Sequence, residues 1–185
     1  MELLDGLLNR VSIQRLEAPG PTQDQLELML QAALRAPDHG SLKPWRGVMV
    51  AGEGLTKLGQ IMHQAQLERE PDSDAQTLER CLKMPHRAPS IFVLIANPKS
   101  HPKVPTEEQV QATAAAGCAI LLAAHAQQLG AVWRTGWVVS HAMIRQAFEL
   151  KADEQIIAMI YMGTPSATPK PAPVLSSQEF IKHWH

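Results

Sequence analysis

The sequence predicts an α+β or α/β sandwich formed by a single domain. Stretches with the periodicity of helices alternate with short apolar runs of strand length between residues 2 and 165, a pattern typical of helices packed on a sheet. The 185 residues suffice for one domain that buries most of its apolar surface. From Thr164 onward prolines accumulate, which predicts an extended arm after the domain.

Four helices and one strand are predicted before residue 85. Thr22 and Gln25 have the spacing of a capping box, so a helix is expected to begin there and to end at Ala36, before Pro37. The Asp-Ser-Asp segment 72–74 separates two later helices. The predicted helices are residues 2–9 (ending at Arg10), the helix capped by Thr22, Glu53 to about Arg69, and one that ends at Lys83, and the strand is Arg46–Ala51.

The second half is predicted to contain the centre of the fold. Ser90–Ala96 is continuously apolar, which is typical of a strand buried on both faces. The longest helix, Thr106 to Leu129, is expected to be capped by Thr106 and stopped by Gly130. Because it is apolar on most sides, it should run through the centre of the molecule. Ser140–Phe148 is predicted as a helix, and Ile156–Met162 as the last buried strand.

The arm, residues 166–185, follows a proline-rich stretch and ends in apolar side chains. Four prolines, Pro165, Pro169, Pro171 and Pro173, stiffen it too much for it to fold back as a helix. A free tail would leave Phe180, Ile181 and Trp184 in water, so we expect the arm to lie across a partner subunit. A disordered tail is the alternative.

Composition excludes several classes of protein. The 17 basic and 18 acidic residues leave no field to attract nucleic acid or anionic membranes. The first ten residues lack the basic start of a signal peptide, and the apolar stretch Ala112–Ala126 is short for a membrane span, so a cytoplasmic protein is expected. Two cysteines make no disulfide framework, and Cys118, within the longest helix, is expected to be buried.

A first candidate binding segment is Arg10-Val11-Ser12, directly after the first helix. A guanidinium and a nearby hydroxyl suit a phosphate group, since their N–H and O–H donors match its oxygens. The alternative is that Arg10 only complements the dipole of the helix C-terminus.

A second candidate is the loop that contains Arg35, Asp38 and His39. Pro37 ends the preceding helix and Gly40 permits a turn, so these side chains should stand at the mouth of a loop. An ion pair between Arg35 and Asp38 that merely stabilises the turn is the alternative.

Two further segments flank the longest helix. Trp133-Arg134-Thr135, followed by Gly136, offers a guanidinium beside a planar ring, although Trp133 equally suits the core. Lys103 lies in a proline-stiffened loop before the helix, where a pocket residue and a solvated lysine are both reasonable interpretations. No metal site is predicted, because the eight histidines form no HExxH motif and have no CxxC partner.

Together these segments resemble the nitroreductase family. Asn9-Arg10-x-Ser12-x-x-Arg15-Leu16, Arg35-Ala-Pro-Asp-His39 and Pro44-Trp45 follow its order, and the later matches resemble a compact branch of it. Those later matches are Lys103-Val-Pro105, Ala116-Gly-Cys118, Trp133-Arg-Thr-Gly136 and Tyr161-Met-Gly-Thr-Pro165. The resemblance implies a mainly antiparallel sheet flanked by helices, and a homodimer that binds FMN at the subunit interface, with the arm over the partner.

The resemblance also implies roles for individual residues. Arg10, Val11 and Ser12 would hold the phosphate end of FMN, Trp133, Arg134 and Thr135 would contact it from the same subunit, and Arg35 and His39 would reach it from the partner. The stretch Ala123, Ala124, His125, Ala126, Gln127 and Gln128 would lie on the nicotinamide side. Val11, Pro102, Thr106 and Glu107 depart from the branch, which leaves substrate preference open.

The expected function is therefore transfer of hydride from NAD(P)H through FMN to a nitroaromatic, quinone or enone by a ping-pong mechanism. FMN would carry the chemistry, so no catalytic side chain is expected. A flavin-binding or redox-sensing module with little turnover is the alternative, and a metal hydrolase that uses His39 is a third possibility.

Overall fold

The predicted α+β sandwich is confirmed by the computed structural model, which describes residues 2–184. Five strands form one antiparallel sheet, and helices cover both of its faces. The helices are α1 Leu3–Asn9, α2 Gln23–Ala33, α3 Glu53–Arg69, α4 Ala75–Lys83, α5 Thr106–Ala126 and α6 Ala142–Ala147. The strands are β1 Leu16–Glu17, β2 Trp45–Ala51, β3 Ser90–Ala96, β4 Gly130–Arg134 and β5 Gln155–Pro165.

Strand β5 is the centre of the sheet. It pairs with β3 from Met162 to Gln155, and with β4 from Gly163 to Met159. Its last two residues pair with β1, while β2 pairs with β3 on the far side. All four pairings are antiparallel, so the last strand of the chain joins segments that are distant in sequence.

The two faces of the sheet carry separate apolar layers, as the alternation of a strand requires. On β3, Phe92 and Leu94 face α2 and α5, whereas Ile91, Val93 and Ile95 face α3, α4 and α6. All seven residues of β3 are buried, as the continuous apolar run predicts.

The predicted start of α2 is confirmed, whereas both ends of α5 require correction. Thr22 and Gln25 form the reciprocal hydrogen bonds of a capping box. The N-cap of α5 is Pro105 rather than Thr106 and makes no side-chain capping bond. The helix ends at Ala126, because Gln128 adopts a positive φ of 62° and turns the chain. Gly130 therefore begins β4, a strand that the sequence analysis missed.

The helix predicted from Ser140 begins later. Ser140 ends a short 3₁₀ helix, Trp137–Ser140, and α6 begins at Ala142. The imidazole of His141 accepts a hydrogen bond from the amide of Met143, so it caps α6 in place of the expected serine.

Helix α5 covers one face of the sheet instead of running through the centre of the molecule. Its inner side packs on α2 and the sheet, and its outer side exposes Cys118. The expected burial of Cys118 is therefore wrong for the single chain. By length and composition α5 could cross a membrane, but the core helix of a globular protein passes the same test.

After β5, the described residues of the arm, 166–184, form no helix or strand except a short 3₁₀ helix at Gln178–Phe180. Its apolar side chains are largely exposed in the described part of the chain. Phe180 is 81% exposed and Trp184 99% exposed. The last residue of the predicted arm, His185, lies outside the described residues.

A buried ion pair connects β2 to the start of β5. Arg46 Nε and Nη2 donate to the two carboxylate oxygens of Glu154 at 2.8 and 2.9 Å, and the Glu154 side chain is only 1% exposed. The amide of Lys151 donates to the same carboxylate, and Arg145 donates to the Glu154 carbonyl. The hydrogen bond from Arg46 outweighs burial and lowers the pKa of Glu154 from 4.5 to about 2.

We expect Glu154→Gln to lower the free energy of unfolding by about 2 kcal/mol at pH 7, since it leaves Arg46 without a carboxylate. A depressed folded-state pKa stabilises the protein above the unfolded value and loses that effect as pH falls towards the folded value. The difference between wild type and variant should therefore shrink from pH 4.5 towards pH 2. Urea unfolding at several pH values measures it.

Glu149→Gln is the matched control, because it removes an exposed carboxylate near Arg46 that accepts no side-chain bond from it. It should change stability by less than about 0.5 kcal/mol. A pH-independent loss in the Glu154 variant would contradict a role for the ionised pair.

Candidate functional site

The candidate phosphate segment lies beside β4. The amide of Ile13 donates to the carbonyl of Ala131 at 3.1 Å, and the side chains of Ile13 and Leu16 pack on Gly130. This contact places the segment that begins at Arg10 along the strand that ends in Trp133 and Arg134. Two of the predicted segments, which begin at Arg10 and Trp133 and lie 123 residues apart in sequence, are thus neighbours.

An open groove of about 480 Å³ borders the phosphate segment. Val11 and Ser12 form one wall together with Arg15, and the start of the arm, Ala167–Lys170, forms the other. Arg10 does not line this groove; it is half-buried directly before it, and its amide donates to the Gly6 carbonyl of α1. The groove offers a hydroxyl and the cations of Arg15 and Lys170, a donor set that fits the oxygens of a phosphate.

The loop after α2 does not contain the ion pair between Arg35 and Asp38 that was considered above. Asp38 accepts hydrogen bonds from the amide and the Nζ of Lys43, at 2.7 and 3.1 Å, and not from Arg35. Burial would raise the pKa of Asp38, but the bonds from Lys43 outweigh it and hold this pKa below its ordinary value. Gly40 adopts a φ of +73°, as the predicted turn requires. Arg35 is left exposed and available to a ligand.

His39 is oriented by a residue that the sequence analysis did not single out. Its Nδ1 lies 2.7 Å from Oε2 of Glu108, in the first turn of α5. An ionised carboxylate only accepts, so Nδ1 carries the proton. An acid in the first turn of a helix is common, so the sequence held no signal for this pair. The two residues border an open cavity on the outer side of α5, separate from the phosphate groove.

The strand end at Trp133 divides its side chains between the two faces of the sheet. Trp133 packs against Gly117 of α5, where a Cβ would lie 2.4 Å from the indole ring. The Arg134 guanidinium lies on the opposite face, 5.4 Å from the centre of the Tyr161 ring. Thr135 follows at the exposed end of the strand. A ligand that contacts all three residues would therefore meet Arg134 through its main chain.

The stretch predicted for the nicotinamide side lies at the C-terminal turn of α5. Ala124 is fully buried, and Gln127 Nε2 donates to the carbonyls of Gln25 and Ala123. Nε2 of His125 is buried without a hydrogen-bond partner. Only Ala126 and Gln128 are exposed, so a ligand could meet this stretch only over a small area.

In the loop before α5, Pro102 and Lys103 are exposed and Val104 is buried. Thr106 and Glu107, at the start of the helix, are also exposed. Lys103 borders neither the phosphate groove nor the cavity at His39. Between residues 2 and 184, no three potential metal ligands come together.

The family profile described as Nitroreductase family matches residues 7–164. YdjA of Escherichia coli (strain K12), whose name marks it as a proposed NAD(P)H nitroreductase, is 35% identical over 165 residues and covers 89% of each chain. A proposed NAD(P)H nitroreductase of Haemophilus influenzae is 33% identical over 187 residues, covering 99% of this chain and 100% of its relative.

Solved structures share the fold. A nitroreductase-like protein from Bacillus cereus superposes with a TM-score of 0.83 at 22% identity, over 100% of this chain and 96% of that one. A proposed nitroreductase from Desulfovibrio desulfuricans, solved in complex with FMN, gives a TM-score of 0.75 at 21% identity, over 100% and 98%. The matched residues, the close relatives and the antiparallel sheet agree, and the chain belongs to the nitroreductase family.

Proposed function

We propose that this protein is an FMN-dependent oxidoreductase that passes hydride from NAD(P)H to an electron-poor acceptor, a nitroaromatic, quinone or enone, by a ping-pong mechanism. The observation that carries the proposal is the hydrogen bond from Ile13 to Ala131, which keeps the groove bordered by Val11 and Ser12 next to β4, the strand that leads to Trp133. The similarity to YdjA and to the FMN complex from Desulfovibrio desulfuricans supports it.

The residues of the groove suit the phosphate end of FMN. Arg10 and the Ser12 hydroxyl supply donors after α1, and Arg15 and Lys170 add positive charge from the same groove. Val11 contributes no side-chain donor where the branch that this sequence resembles usually has a second arginine, and Arg15 and Lys170 would supply the missing positive charge. When bound, FMN would supply the hydride chemistry, and the chain would supply binding, orientation and charge.

The ring of the flavin would lie at the end of β4. Trp133, fixed by its contact with Gly117, and the main chain of Arg134 and Thr135 would limit where the ring can sit. The pyrimidine edge becomes anionic on reduction, and a nearby cation such as Arg35, with His39 as a hydrogen-bond donor, would stabilise that charge. That Lys103 lines the pocket for the acceptor, and that the stretch 123–128 contacts the nicotinamide nucleotide, both remain predictions.

A homodimer is part of the proposal, because the single chain separates the two halves of the site. Arg35 and His39 belong to a loop whose cavity opens on the outer side of α5, whereas Ser12 lines the groove beside the arm. The surface near the outer side of α5 exposes more apolar side chains than is usual for the surface of a monomeric protein. Four leucines of α1, namely Leu3, Leu4, Leu7 and Leu8, are 46–76% exposed. A second copy would cover them and bring Arg35 to the groove.

The colour of the purified protein separates the enzyme from the flavin-binding or redox-sensing module. We expect a yellow protein that is bleached by NADH or NADPH without oxygen, and recovers its colour when a quinone is added. A yellow protein that no nicotinamide donor bleaches would favour the module instead. A colourless protein that takes up no FMN would contradict both. A cytoplasmic location remains a prediction.

Mixed dimers test the shared site. Arg10→Ala and Arg35→Ala each remove a charge-assisted contact, so each homodimer should bind FMN roughly tenfold or more weakly. In a heterodimer of the two variants, one site loses both arginines and the other keeps both. We therefore expect about half of the wild-type FMN content after gel filtration of doubly tagged heterodimers.

The reciprocal control pairs wild type with the double variant Arg10→Ala/Arg35→Ala. If the site is shared between subunits, each of the two sites then loses one arginine, so both bind FMN weakly and little FMN remains after gel filtration. If that heterodimer keeps half of its FMN while the mixed single variants keep none, the site lies within one chain.

The arm is expected to hold the dimer together. Ending the chain after Pro171 keeps the groove wall Ala167–Lys170 but removes Phe180, Ile181 and Trp184. Burial of these side chains is worth about 1.5–3 kcal/mol each before ordering costs, so the dimer dissociation constant should rise at least tenfold. Light scattering over a dilution series measures it.

A full-length variant with Phe180→Ser, Ile181→Ser and Trp184→Ser separates the loss of apolar contacts from the loss of length, and should weaken the dimer similarly. Unchanged dimers in both proteins would show that the arm is dispensable.

A further inference from the structure

A second cavity, of about 450 Å³, opens on the α3 face of the sheet. Its floor is formed by Met159 and Tyr161 of β5, and its walls by Met62 of α3, Met84 after α4, and Trp137. These residues belong to the apolar layer on the side of the sheet opposite to α5. The cavity shares none of its lining with the phosphate groove or with the cavity at His39, but it also borders the strand end 133–136, which the proposed flavin would contact.

Two arginines line this cavity, Arg87, which is exposed, and Arg134, which is half-buried. Arg134 Nε is buried and makes no hydrogen bond. Between residues 2 and 184, neither Arg87 nor Arg134 forms an ion pair. By contrast, Arg46 binds Glu154 through two nitrogens. An unsatisfied buried donor is costly and rare, so the cavity lacks an acceptor that the rest of the fold does not provide.

Apart from Thr135 and Gly136 at the strand end, the remaining lining is apolar and aromatic. Three methionine side chains, soft and adaptable, surround the ring of Tyr161 and the indole of Trp137. Burial raises the pKa of Tyr161, although the charges of Arg134 and Arg87 oppose that rise, so its hydroxyl stays protonated at neutral pH. A ligand that fits must combine an anionic group with a flat apolar body.

We propose that this cavity is a binding site for a small aromatic carboxylate. Its carboxylate lies between the guanidinium groups of Arg87 and Arg134, which present planar sets of N–H donors that match carboxylate geometry. Its ring packs among the methionines and Trp137. The volume is at the lower end of the range for small-molecule sites, which suits one or two fused rings. The site uses the guanidinium of Arg134 on the α3 face, whereas the proposed flavin would meet the main chain of the same residue.

Calorimetric titration of the protein as purified tests this site, with 2-naphthoate and its neutral amide, 2-naphthamide, as probes of matched shape. No nicotinamide donor is present, so no turnover occurs. We expect the acid to bind at least tenfold more tightly than the amide. Equal binding of the two probes would overturn the proposal.

Arg87→Gln tests the site without touching any residue assigned to FMN, and Arg80→Gln removes the same charge from an exposed residue of α4 outside the cavity. The preference for the acid should fall about tenfold in the Arg87 variant and persist in the Arg80 variant. The same loss in both variants, or in neither, would overturn the proposal. So would displacement of the naphthoate by an equal concentration of inorganic phosphate, which would indicate an unspecific anion site.

The flavin absorbance of each protein is recorded beside the titration. If the Arg87 variant loses its preference for 2-naphthoate over 2-naphthamide while its flavin content is unchanged, the lost binding belongs to the second cavity. Absence of flavin in the wild type bears on the proposed oxidoreductase and leaves the titration interpretable.

Discussion

The pairing of β5 along both of its edges is the constraint on which the rest of the structure depends. The strand lies between β3 and β4 and then continues past them to pair with β1. Each pairing satisfies main-chain groups that would otherwise be buried without partners. Because β5 holds β4 beside the segment that follows α1, the position of the candidate site follows from backbone hydrogen bonds before any side chain is considered.

Strand alternation then decides what each residue of the site can do. Trp133 and Arg134 are adjacent in sequence, but one packs on α5 and the other reaches Tyr161 on the opposite face. The Trp133-Arg134 motif, which looks like a single binding unit in the sequence, therefore places one side chain on each face of the sheet. The guanidinium of Arg134 is free for a ligand on the α3 face, while the main chain at the same residue remains available at the strand end.

The outer side of α5 is the surface that a second copy of the chain would cover in the proposed homodimer. The helix is apolar on most sides, but the chain supplies a covering layer on only one of them, which leaves Cys118 and the leucines of α1 exposed. The same side carries His39 and Glu108, close to the surface that a second copy would cover. The apolar exposure therefore lies on the same side of the molecule as one part of the proposed cofactor site, and the arm adds exposed aromatic side chains of its own.

The sequence by itself determined the features that depend on local order. Each of these features depends only on residues that are close together in the sequence, and so could be predicted. They are the capping box at Thr22, the buried run Ser90–Ala96, the bounds of α3 and the family motifs. Only the tertiary structure decided the short strands β1 and β4, whose few residues carry no periodic signal and form strands because β5 offers them an edge. It also decided the pairing of His39 with Glu108 and of Arg46 with Glu154, 69 and 108 residues apart. Such pairs depend on which charged groups the packed backbone brings within reach, and residue order alone does not specify that distance.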